Sequence, residues 1–305
     1  MTEPQGRFLV VRGGAIGDFI LTLPVFSAIR EMFPHAHVEL LGYPNVTDLA
    51  LKSGTADGVR SIDARPMASF FNRKGHTNEE LGEYFASFNI VVSFLYDPDQ
   101  FFQNNVKACA DHIQFVQGIH KPDDGNGTHA TETLLVALQQ LAIFDTDPVP
   151  RLDFQTSAQA GESWIAVHPG SGSPRKNWPV NHWFELLRDL SVNHRILVIG
   201  GEADFEALRV LEAALSGVQY EFMVNRPLTD VGTRLQSCRA FIGHDSGITH
   251  LAAAVGLPGV CLWGETNADV WRPRSDRIEL LHGGAGLAGI EVATVRERLD
   301  NILKP

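Results

Sequence analysis

The sequence predicts two α/β domains in series, each a doubly wound and mostly parallel sheet. Three observations carry this. The chain has 305 residues, and ordinary domains hold about 100–200. Short apolar runs alternate with longer stretches of helical period, and the rhythm restarts in the second half of the chain; βαβα order of this kind builds parallel sheets covered by helices. Glycine-bearing turns follow several of the apolar runs directly, which puts them beyond the carboxyl ends of strands, where such sheets bind ligands.

Taken in order, residues 8–11, 38–41, 59–62, 90–94 and 112–115 read as strands. Helical patterns follow the first glycine turn as far as residue 32, and recur at 47–51, 79–87, 101–108 and, most strongly, 128–141. Pro24 lies inside the first of these, which predicts a helix that is kinked or starts late. Residues 64–78, with Arg65, Arg73, Lys74 and His76, carry the least pattern and predict a mobile loop. An extended, proline-bearing piece at 145–150 and a polar stretch at 155–161 mark the boundary, giving domains 1–155 and 156–305, with room for the last helix to pack back on the first domain. In the second half, strands are expected at 164–167, 196–199, 220–223, 240–242 and 260–263, separated by helices at 183–190, 204–215, 230–238 and 248–255. For two such domains the default site is the cleft between them.

Composition narrows the function. Apolar residues make up 44% of the chain, enough for two cores. The formal charge is −11, from 25 basic and 36 acidic residues. That argues against a general nucleic-acid binder, which needs a basic stripe. Cys109, Cys238 and Cys261 match no CxxC spacing, so buried thiols in a reducing cytoplasm are expected rather than disulfides or a zinc site. No secretory signal is read at the start, and no run reaches the ~18 apolar residues of a membrane span. The expected location is the cytoplasm, with a peripheral contact at the inner face of the membrane left open.

Three constellations carry chemistry. RGGAIGD, residues 12–18, joins a strand to a helix. It resembles a dinucleotide turn, but Arg12 stands where GxGxxG has its first glycine. Asp18 is either a helix-start cap or a carboxylate placed to act as a general base. HPGSGSPRKNWP, residues 168–179, follows a strand. Backbone N–H groups around Ser171 and Gly172 can cradle phosphate oxygens, with Lys176 as a mobile cation; the alternative is a solvated polar loop. The Walker pattern is absent. FIGHDSGITHL, residues 241–251, runs from a strand through Asp245, Ser246 and Gly247 into an apolar helix. The N–H groups of that first turn and the helix dipole favour an anion, and His250 lies one turn on. The alternative is an Asp245 cap on a core helix with a hydrogen-bonded His250. Glu202, after a strand and two glycines, can bond ribose hydroxyls or simply favour a helix start. No third ligand accompanies His35 and His37, so no metal is expected there.

Together these segments resemble the bacterial heptosyltransferases, glycosyltransferase family 9, from residue 8 to about residue 273. The resemblance rests on VVRGGAIGDFILTLPVFSAIR, HPGSGSPRKNWP and FIGHDSGITHLAAAVGLPGVCLWGET. It implies a GT-B-like pair of Rossmann-like domains. The second binds a nucleotide-sugar donor, ADP-linked heptose in the family, and the first receives a glycan or glycolipid acceptor of the lipopolysaccharide inner core. By the resemblance Asp18 is the general base and Lys176 the phosphate-binding lysine. Ser171 and Gly172 form the diphosphate loop, Glu202 contacts the ribose, and Asp245, Ser246, Gly247 and His250 form the donor turn. The reaction it implies is inverting and metal-independent, without a cofactor. Arg60, Arg65, Arg73 and Lys74 are candidates for the acceptor side. Two other readings stay open: a relative that has lost activity and serves as a binding or scaffold module, and a nicotinamide-dependent oxidoreductase, which the broken glycine fingerprint disfavours.

Overall fold

The computed structural model describes residues 6–75, 78–125, 127–154, 164–215, 220–284 and 286–304. His76 and the polar stretch 155–161 lie outside the described residues. The chain divides into two compact units, Met1–Val149 and Pro150–Pro305.

In the first unit five strands form one parallel sheet: β1 (Arg7–Arg12), β2 (His37–Gly42), β3 (Gly58–Ser61), β4 (Ile90–Ser93) and β5 (Gln114–Gln117). Their order is β3-β2-β1-β4-β5. The central strand is buried on both faces from Phe8 to Val11, as a strand covered by helices on two sides must be. Helices α1 (Ile16–Met32), α2 (Pro44–Lys52), α3 (Glu79–Ala86), α4 (Phe101–Lys107) and α5 (Ala130–Leu135) make the crossovers and outer layers. Pro44 opens α2, where its missing N–H costs nothing. The Asn78 side chain caps α3 by accepting from the Leu81 N–H.

The second unit repeats the plan with six strands. These are β6 (Trp164–His168), β7 (Arg195–Gly200), β8 (Tyr220–Val224), β9 (Ala240–His244), β10 (Gly259–Trp263) and β11 (Ile278–His282). They are parallel and ordered β11-β10-β9-β6-β7-β8. The helices are α6 (Val180–Leu190), α7 (Phe205–Ala214), α8 (Leu228–Gln236), α9 (Gly247–Ala254), α10 (Ala268–Trp271) and α11 (Val292–Leu303). The last helix lies against α6, β9 and β10 of its own unit, and buries Val295 and Leu299 in that core. Each such side chain contributes about 1.5–3 kcal/mol of transfer free energy.

The strand order of each sheet reverses near its centre, between β1 and β4 in the first and between β6 and β9 in the second. Crevices beyond such reversal points take ligands. Two of the three sequence constellations flank one in each unit: the Gly13–Gly14 turn follows β1, and the 168–179 loop follows β6. The Asp245–Ser246 turn follows β9, across the second reversal point from that loop.

Several expectations need correction. Residues 64–78 are not a structureless loop. Arg65–Phe71 is a 3₁₀ helix whose Met67 and Phe70 are fully buried among Leu9, Phe85 and Phe102. Their three-residue spacing fits the 3₁₀ period, which a search for periods of 2 and 3.6 passes over. Helix α1 starts at Ile16, directly after the glycine turn, and continues as one helix through Pro24. Burial of nearly every residue from Phe19 to Ile29 outweighs the one lost backbone bond. The strong helical pattern at 128–141 is α-helix only over Ala130–Leu135 and tightens to 3₁₀ over Val136–Leu141. Strand β5 begins two residues later than expected. Cys238 and Cys261 are buried, but Cys109 is only half-buried.

Candidate functional site

In the first unit Gly14 turns the chain out of β1 at φ +100°, a region that favours glycine. A Cβ there would also meet Asp18 Oδ2 at 2.6 Å. The turn delivers Asp18 to the third position of α1. Its Oδ2 accepts the Ala15 N–H at 2.9 Å, which caps the helix. Its Oδ1 accepts from Arg12 Nη2 at 3.1 Å. Arg12 is buried and donates further, to the His120 carbonyl at 2.9 Å and, at longer reach, to the carbonyls of Asp18 and Phe94. Burial lowers the Arg12 pKa, and the charge of Asp18 works against that shift. One guanidinium thus ties the ends of β1, β4 and β5 to the Asp18 carboxylate. In the glycine fingerprint Arg12 occupies the place of the first glycine. The signal available was an arginine at the end of a buried strand, which requires a partner.

The four acceptor-side candidates lie on β3 and on the segment that follows it. Arg60 lies in β3, over the Tyr84 ring at 4.2 Å and 3.8 Å from Glu80. Arg65 opens the 3₁₀ helix, and Arg73 and Lys74 follow it; all three are exposed. β3 is two strands from β1, about 10 Å at the usual spacing.

In the second unit the candidates follow three adjacent strands, β7, β6 and β9. The loop after β6 is closed by Ser171, whose hydroxyl reaches the Ser173 carbonyl at 2.8 Å and Asn177 Oδ1 at 2.6 Å. Gly172 is exposed beside it. Lys176 ends the 3₁₀ turn Pro174–Lys176 and donates to Asp245 Oδ2 at 2.6 Å. The same oxygen accepts from the Thr266 hydroxyl, beyond β10, at 2.7 Å. With its carboxylate engaged there, Asp245 is not the helix cap. Ser246 is, accepting the Thr249 N–H, and α9 starts at Gly247. The N–H groups of Gly247 and Ile248 precede any intrahelical acceptor. His250 is buried one turn further on. Glu202 is exposed just past β7, at the head of the 3₁₀ turn Glu202–Asp204.

Three histidine and acid groups hold this surface from behind. His244 is buried; its Nδ1–H donates to the Gly170 carbonyl at 3.1 Å, and its Nε2 accepts the Trp178 N–H at 2.8 Å. Burial is the main reason its pKa falls to about 4, so the ring is neutral near pH 7. His168 and Asp204 lie beside it in mutual contact. None of the three is marked by spacing in the sequence: their cross-strand partners lie 36 to 78 positions away. Among the described residues no group of three or more His, Cys, Asp or Glu side chains is placed to hold a metal ion. Nor, among them, is any helix long and apolar enough to cross a membrane.

A family model for glycosyltransferase family 9 (heptosyltransferase) matches residues 138–288, which include all the donor-side candidates. The chain belongs to that family. Over 300 residues it is 20% identical to lipopolysaccharide heptosyltransferase 3 of Escherichia coli, covering 86% of this chain and 84% of that protein. Over 135 residues it is 30% identical to lipopolysaccharide heptosyltransferase 2 of Salmonella typhimurium, 42% of this chain and 38% of that protein. The solved structure of the E. coli ADP-heptose lipopolysaccharide heptosyltransferase II shares the fold at a TM-score of 0.78 and 18% identity, over 97% of this chain and 98% of that one. Membership in family 9 places the chain among the glycosyltransferases, with two doubly wound Rossmann-like units as the sequence predicted.

Proposed function

We propose that this family 9 member is an inverting, metal-independent transferase that moves heptose from an ADP-linked donor to a glycan acceptor of the lipopolysaccharide inner-core type. The observation that carries the reading is the Lys176–Asp245 pair beside the first turn of α9. Lys176 is the more exposed partner, so an entering diphosphate meets a positive charge and the N–H groups of Gly247 and Ile248 together. Ser171 and Gly172 border the same loop, Glu202 bonds the ribose, and His250 supports the helix start. In the first unit Asp18 takes the proton from an acceptor hydroxyl as that oxygen attacks the anomeric carbon. The carbon–oxygen bond to the diphosphate breaks, and Lys176 with the helix N–H groups stabilises the departing charge. Arg60, Arg65, Arg73 and Lys74 attract the acidic groups of the acceptor. The enzyme works in the cytoplasm, at the inner face of the membrane where a lipid-linked acceptor presents its sugars.

A thermal-shift screen with ADP-, UDP- and GDP-sugars tests this directly. The ADP-sugar stabilises by about 2.7 kcal/mol at a concentration 100-fold above its Kd. A larger shift with UDP- or GDP-sugars removes the ADP assignment. A shift with NAD and none with ADP restores the oxidoreductase reading.

A further inference from the structure

Two buried side chains behind the donor turn have no part in the roles above. His168 ends β6 and Asp204 ends the 3₁₀ turn after β7; they are 4% and 6% exposed. Asp204 Oδ2 lies 3.4 Å from His168 Nε2, and His168 Nδ1 lies 3.1 Å from Ser246 Oγ. Carboxylate, imidazole and hydroxyl thus form one line of contacts across the adjacent strand ends of β7, β6 and β9. Asp204 also accepts the Gly201 N–H at 2.8 Å. Burial works to raise its pKa, but the hydrogen bonds from His168 and Gly201 bring it below the usual carboxylate range. An ionised carboxylate only accepts, so the Nε2 side of His168 carries a hydrogen. With that hydrogen on Nε2, Nδ1 accepts the Ser246 O–H, while the Ser246 oxygen receives the Thr249 N–H.

The neighbouring glycine shows how closely this line is fitted. A Cβ on Gly170 would lie 1.7 Å from Asp204 Oδ1. Only glycine leaves room for that carboxylate, and the Gly170 carbonyl is itself held by His244. The glycine of the 168–172 loop therefore admits Asp204 as well as shaping the turn.

We propose that Asp204 and His168 are positioning residues for the donor diphosphate. They fix the Ser246 hydroxyl as the cap of α9, and this directs the Gly247 and Ile248 N–H groups at the phosphate. The inference rests on the donor reading above and adds residues to it.

The test is calorimetric titration of ADP and of adenosine into the parent, His168→Phe, His168→Asn and Asp204→Asn. His168→Phe removes both contacts and weakens ADP about 10-fold, as loss of a well-made hydrogen bond does, with adenosine unchanged. His168→Asn, whose amide reaches the Nδ1 position, recovers most of that loss. Asp204→Asn keeps the shape without the charge and weakens ADP about 3-fold; it also stands in if His168→Phe does not fold. Parent-like ADP affinity in His168→Phe and Asp204→Asn overturns the proposal. So does an equal loss of ADP and adenosine, or His168→Asn no better than His168→Phe. A folded parent that binds no ADP is a separate outcome: it overturns the donor reading, and the inference with it.

Discussion

Each unit sets one cation–carboxylate pair at the carboxyl end of its sheet, and the two pairs are built inside out with respect to each other. In the first unit the Arg12 side chain is 4% exposed and Asp18 35%, so the charge presented outward is negative. In the second, Asp245 is 12% exposed and Lys176 42%, so the outward charge is positive. The inner partner in each case has further bonds to hold it. Arg12 has the carbonyls of His120 and Phe94, and Asp245 has the Thr266 hydroxyl. The same strand–turn–helix plan therefore presents a carboxylate outward in one unit and an ammonium in the other. What decides is which member of the pair the protein buries.

The contrast predicts that the largest effect comes from the outward carboxylate. Asp18→Asn lowers kcat by about 10²–10⁴-fold in a sugar-transfer assay and leaves the melting temperature nearly unchanged, because the other Arg12 contacts remain. Parent-like turnover removes Asp18 from the chemistry. Next comes the acid response of the donor side. His244 is held neutral in the fold, with its pKa lowered from 6.5 to about 4. The unfolded chain takes up this proton first as pH falls. Stability is therefore full above about pH 6.5, and about 3 kcal/mol of it is lost between there and about pH 4. Urea unfolding of the parent and of His244→Gln measures this. The variant, which can still accept the Trp178 N–H, shows a flatter profile in that window; an equal slope contradicts it. A smaller effect separates the two cations. Arg12→Met lowers unfolding free energy by about 2 kcal/mol, because buried carbonyls and Asp18 lose a charged donor. Lys176→Met changes it by less than about 1 kcal/mol, as for an exposed pair. Equal losses would show that the two pairs are not inverted in burial.

How much of this was legible in the sequence follows from the range of the interactions involved. Both sheets, the switch-point turns and the positions of Asp18, Lys176 and Ser246 are local signals: an apolar run, a glycine turn and a helix start lie within some ten residues. The 3₁₀ helix at Arg65–Phe71 was missed because its period is 3, not 3.6. Ser246 rather than Asp245 became the cap because Lys176, 69 residues earlier, claims the aspartate. The cross-strand contacts of Arg12, His168, Asp204 and His244 were silent for the same reason. Their partners are brought together only when neighbouring strands align, and no spacing along the chain records that.

The most direct test of the inverted pairs is ADP titration into Lys176→Met and Asp18→Asn. The account predicts an affinity loss of about 10-fold or more for Lys176→Met, from a removed charge-assisted contact, and parent-like affinity for Asp18→Asn. ADP affinity that survives loss of Lys176, or falls with loss of Asp18, contradicts it.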